Sequence, residues 1–76
     1  MKEVLEIIAK ALVDNPERVD ITEINNEDGT ITLELRVAES DMGKVIGKQG
    51  RIAKALRTVV KAAASHENKK VSVEIV

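Results

Sequence analysis

Seventy-six residues make one domain near the lower size limit for independent folding, so residues 1–76 are read as a single unit. The absence of cysteine excludes disulfides and thiolate metal sites. With no aromatic residue either, 23 Ile, Leu and Val side chains and the alanines must supply the core. Twelve basic and thirteen acidic residues leave a formal charge of −1, which is unevenly distributed: Met42 to Lys61 carries six basic residues and no acidic one. No apolar run is long enough to span a membrane and Met-Lys-Glu is not a signal-peptide start, so a cytoplasmic protein is expected.

Lys2 to Val13 reads as a helix with Val4, Leu5, Ile8, Ala11 and Leu12 on one face. Asn15-Pro16 ends it, because the residue before proline avoids the helical region. Arg18 to Asn25 is a strand with Val19, Ile21 and Ile24 as its apolar content, and a bulge or early fraying is expected where alternation breaks at Glu23-Ile24. Asn25 to Gly29 is a turn. Thr30 to Val37 alternates strictly, placing Ile31, Leu33, Leu35 and Val37 on one face of a strand that pairs antiparallel with the preceding one. Ser40 or Asp41 caps a short helix over Met42 to Ile46. A longer helix from Gly50 to Ser65 turns Leu56, Val59, Val60 and Ala63 to the core and Arg51, Lys54, Arg57 and Lys61 away from it. Lys70 to Val76 closes as a strand. A right-handed crossover returns it parallel to Thr30–Val37, giving an α+β fold: a three-stranded mixed sheet with three helices on one face.

Between the last two helices stands Gly47-Lys48-Gln49-Gly50. A nucleotide-hydrolysing P-loop needs four residues between its glycines followed by Lys and Ser or Thr, whereas Gly43 and Gly47 enclose three and Gln49 occupies the hydroxyl position. A dinucleotide fingerprint fails on the same spacing. Two glycines are common in a plain helix–helix turn, but the wholly basic surroundings favour a nucleic-acid ligand. Glycine permits close approach of another backbone, Gly50 and Arg51 lie at a helix start whose N–H groups attract anions, and Lys44, Lys48, Arg51 and Lys54 add full charges. For Arg57 and Lys61, farther along, a solvated face is the favoured reading. His66 complements a helix C-terminus, and no spacing of carboxylates or histidine suggests a catalytic, cofactor or metal site.

Val45-Ile46-Gly47-Lys48-Gln49-Gly50-Arg51 resembles the V-I-G-x-x-G-[RK] signature of KH domains, and the αββααβ order resembles their type II arrangement. With D-M-G-K-V-I-G-K-Q-G-R followed by A-L-R-T-V-V, the whole chain is similar to the small bacterial KhpA family. Ala53 departs from the general KH pattern, which prefers a large aliphatic residue three positions after the second glycine. The resemblance implies that Gly47, Lys48, Gln49 and Gly50 clamp the backbone of about four nucleotides of single-stranded RNA. It also implies that Val45, Ile46 and Ile52 form an apolar groove. It further implies a homodimer or a complex with KhpB, a larger KH-containing protein, and an RNA-chaperone role in cell elongation and cell-wall homeostasis. Single-stranded DNA as ligand stays open, as does the alternative of a protein-interaction adaptor. With no aromatic side chain to stack on bases, binding rests on backbone contacts and is weak for one copy.

Overall fold

In the computed structural model, which describes residues 1–76, helix α1 spans Lys2–Leu12, and strands β1 (Asp20–Asn25) and β2 (Ile31–Arg36) form an antiparallel hairpin. Helix α2 (Met42–Ile46) and helix α3 (Arg51–His66) follow, and strand β3 (Val71–Ile75) closes the chain. β2 is the central strand, paired antiparallel with β1 and parallel with β3, as the alternation and the crossover rule require. Its residues Leu33 and Leu35 are fully buried and stand in register with Val73 and Ile75 on one side and with Glu23 and Ile21 on the other. Onto this face Leu5 and Ala9 of α1, Val45 of α2 and Leu56, Val60 and Ala64 of α3 pack as one core.

Several local expectations are corrected. Pro16–Arg18 forms a 3₁₀ turn, so β1 starts at Asp20 rather than Arg18. It pairs with β2 residue for residue without a bulge. Glu23 therefore shares the helix side of the sheet with Leu33 yet is exposed, and Ile24 faces outward, 38% exposed. In α1 the buried residues are Leu5 and Ala9, followed by Val13 just beyond the helix, while Ala11 and Leu12 are exposed. In α3 the buried stripe is Ala53, Leu56, Val60 and Ala64, whereas Val59 is 46% exposed. Both shifts have one cause. Alanine lets a helix backbone come close to its neighbours, so Ala9, Ala53 and Ala64 take the inward positions and the bulkier Leu12 and Val59 flank the contact.

Asp41 is not a side-chain cap of α2; no such hydrogen bond exists. Its carboxylate is 1% exposed and turns instead to the segment after α1. The Asp14 N–H donates to Oδ1 at 3.2 Å, and the Asn15 N–H and side-chain amide both donate to Oδ2 at 3.0 Å. The end of α1 is thereby fastened to the start of the helix that carries the glycine loop. Burial pushes the Asp41 carboxyl up, but the donors from Asn15 and Asp14 and the Lys44 charge outweigh it and hold the group below its usual value.

Candidate nucleic-acid interface

α2 has five residues and ends where Gly47 leaves the helical region at φ 75°, ψ 174°. The Gly47 N–H still closes the last turn onto the Gly43 carbonyl at 2.8 Å. A Cβ at Gly47 would lie 2.5 Å from Cγ1 of Ile52, so this position needs glycine both for its backbone and for its space. Lys48–Gly50 then forms a tight turn, closed by the Gly50 N–H on the Gly47 carbonyl at 3.2 Å, with Gln49 at φ 58° and Gly50 at φ 73° in the left-handed region, and α3 begins at Arg51. The short α2 and the 16-residue α3 are thus joined by a turn whose tip, Lys48-Gln49, is exposed.

The electrostatics of this tip are unbalanced. α3 has no side-chain cap at its N-terminus and no acidic residue in its first turn, so its positive dipole end is unanswered within the protein. Lys48 and Lys54 have no acidic partner, and the Arg51 guanidinium donates only to the side-chain amide oxygen of Gln49, at 3.2 Å. Lys44 differs. Its ammonium is paired with Asp14 and lies 3.8 Å from Asp41. The hydrogen bond to Asp14 raises its pKa; partial burial opposes this, and the Asp14 and Asp41 charges add to it. The turn therefore presents Lys48, Arg51 and Lys54 as free cations beside exposed backbone, whereas Lys44 is already engaged.

The apolar residues expected around the loop separate. Val45 is fully buried in the core cluster and is not part of any groove; this corrects the expectation, since a side chain with no exposed surface supports the loop from beneath. Ile46 is 37% exposed at the end of α2. Ile52 is half-buried; it packs under Gly47 and lines a concavity of about 300 Å³ between α1 and α3, together with Ile8, Leu12, Ala55 and Val59. Ala53 sits in the core at 5% exposure, so the small residue at this position draws α3 inward. Asp41 was missed as a determinant of the site because its partners lie 26 and 27 residues away, and no local pattern signals such a contact.

A chain of two helices flanking a Gly-x-x-Gly turn, over a sheet ordered β1-β2-β3 with a parallel final pair, invites comparison with known proteins. The family model described as "KhpA/KhpB, KH domain" matches residues 2–75. The chain belongs to this family. Relatives in Clostridium perfringens, Clostridium acetobutylicum and Caldanaerobacter subterraneus, each named RNA-binding protein KhpA, are 68%, 64% and 60% identical. All three alignments cover the whole of both chains. A crystal structure of Aquifex aeolicus Era bound to GDP.AlF4- superposes on 96% of this chain with a TM-score of 0.67 and 18% identity. The match takes in 28% of the Era chain and shows the shared fold alone. The order of helices and strands seen here, αββααβ, is the one expected from the sequence.

Proposed function

We propose that this chain is a non-enzymatic RNA-binding KH protein that grips about four nucleotides of single-stranded RNA by their backbone at Gly47–Gly50. One observation carries this reading. The turn is held open by a glycine that cannot be replaced without meeting Ile52, and its tip carries unpaired Lys48 next to the uncapped start of α3. Phosphates would be met by the N–H groups and dipole of α3 and by Lys48, Arg51 and Lys54, with Gln49 as a neutral hydrogen-bonding group. Ile46 is the aliphatic surface nearest in sequence to the turn that a base can reach. The identity to three relatives named as RNA-binding proteins supports RNA as the ligand. No helix is long and apolar enough to cross a membrane.

The family resemblance supports action in the cytoplasm as a homodimer or with a larger, KhpB-like KH-containing protein, in an RNA-chaperone role connected with cell elongation and the cell wall. The α1–α3 concavity, with Leu12 and Val59 exposed at its rim, is the apolar surface that suits such pairing. The same surface favours a second reading, in which the chain is chiefly a protein-interaction adaptor.

Salt dependence tests the first reading. Three neutralised phosphates on a single strand give a slope of about −2 for log K against log salt with a four-nucleotide RNA. Competition with DNA of the same sequence then ranks the two ligands. A salt-insensitive complex contradicts backbone clamping, and the absence of RNA binding in the purified chain, alone and with its partner, favours the adaptor.

A further inference from the structure

A second basic cleft lies at the opposite end of α3 from the glycine turn. α3 closes with Asn68 in the left-handed region at φ 57°, its N–H bonded to the Ser65 carbonyl at 3.1 Å and that of Lys69 to the Ala64 carbonyl at 3.0 Å. This pair of reversed bonds is the Schellman closure, and it folds the chain back sharply on the last turns of the helix. Lys69 and Lys70 are thereby brought alongside Lys61 and Ser65, which stand one turn apart on α3. With Thr30, just before β2, and Ser72 of β3, these residues line a concavity of about 470 Å³.

The charge in this cleft is not neutralised. None of the three lysines belongs to an ion pair, since every salt bridge of the chain involves Lys10 or Lys44. Asp28 is the acidic group at its margin. Its carboxylate is occupied by the Thr30 hydroxyl at 2.7 Å and N–H at 2.9 Å; these bonds lower its pKa, with a smaller contribution from the Lys70 charge. Three cations against one engaged carboxylate, with the Ser65 and Ser72 hydroxyls among them, match the spread anionic oxygens of a phosphodiester.

The cleft is also in line with the turn. Between Gly50 and Lys61 the helix rises about 16 Å, which a stacked single strand covers in about five nucleotides at 3.4 Å each. Along that path Arg57 donates from Nε to the Val73 carbonyl of β3 at 3.2 Å. A cation is thus fixed between the two ends, and Lys61 joins a site rather than a merely solvated face.

We propose that Lys61, Lys69 and Lys70 form a second phosphate site for the same single-stranded RNA that the glycine turn holds, so that the strand runs along α3 beyond the four-nucleotide clamp. This rests on the RNA-binding reading above and extends it from the turn to the far end of the helix.

Four-nucleotide and twelve-nucleotide single-stranded RNAs distinguish the two sites. For the parent, the longer RNA engages six cations instead of three, and the salt slope steepens from about −2 to about −4. Lys69→Gln/Lys70→Gln should bind the tetranucleotide like the parent. It should bind the twelve-mer several-fold more weakly, with the slope reduced to about −3. Lys2→Gln/Arg18→Gln removes the same charge elsewhere and should leave the twelve-mer slope unchanged. The proposal is overturned if the cleft variant keeps the parental twelve-mer slope, or if the two variants lose affinity equally. The clamp is judged separately: Lys48→Asp/Gln49→Asp should lose the tetranucleotide. If it binds the tetranucleotide normally while the cleft variant fails on the twelve-mer, the clamp reading falls and the cleft stands.

Discussion

Replacing Gly47 by alanine puts a methyl group where there is neither conformational nor physical room. The backbone at φ 75°, ψ 174° is in a region populated almost only by glycine, and holding another residue there costs about 1–3 kcal/mol. The new Cβ would also lie 2.5 Å from Cγ1, 2.8 Å from Cδ1 and 2.9 Å from Cβ of Ile52. The last of these sits directly on the α3 backbone and cannot swing aside, so overpacking adds about 1–3 kcal/mol. The sum, about 2–6 kcal/mol, is a large share of the roughly 4–11 kcal/mol expected for a 76-residue domain. Gly50→Ala shares only the positive φ, with no atom within 4 Å of the added carbon, and should cost about 1–2 kcal/mol. Gly43→Ala, helical and open, should gain up to about 1 kcal/mol. Because the chain has no Trp, Tyr or Phe, urea unfolding is followed by circular dichroism at the helix band. Equal destabilisation by Gly47→Ala and Gly50→Ala would refute the close-packing argument. So would the absence of coupling between Gly47→Ala and Ile52→Ala in a double-mutant cycle.

Two further outcomes follow from the charges around α2. Lys48→Ala should weaken RNA binding more than Lys44→Ala, because Lys44 already answers Asp14 and Asp41; a titration of both variants with one RNA decides the order, and equal losses would contradict it. Asp41 has a depressed folded-state pKa, so the stability it contributes is complete above its usual 3.8 and disappears as pH falls through the folded value. Asp41→Asn should therefore lower the urea midpoint at neutral pH and flatten its fall below that value. A parent and variant with parallel acid limbs would show that Asp41 is not the group titrating.

The architecture was legible where pattern and geometry coincide. Strict alternation over Ile31 to Val37 identified the central strand, the helix-to-strand order required a parallel β3, and the glycine spacing located the turn. Helix faces were legible to within one or two residues. Hydropathy ranks Leu12 and Val59 above Ala9, Ala53 and Ala64, but close approach of the helices to the sheet selects the small residues. Contacts remote in sequence left no trace. The Asp41 clamp on Asp14 and Asn15, and the return of Lys69 and Lys70 onto Lys61, exist only once the chain is folded. The excess of positive charge on Met42–Lys61 was plain, whereas the neutralisation of Lys44 within it was not.

The Gly47–Gly50 clamp is tested most directly by Lys48→Asp/Gln49→Asp. Both positions are exposed, and aspartate is well tolerated at a positive φ such as the 58° of Gln49, so the fold should survive with its helix signal and urea midpoint close to those of the parent. Two carboxylates at the turn should then repel the phosphates and abolish binding of a four-nucleotide single-stranded RNA. A folded variant that binds this RNA as tightly as the parent would contradict the assignment of the turn as the binding site.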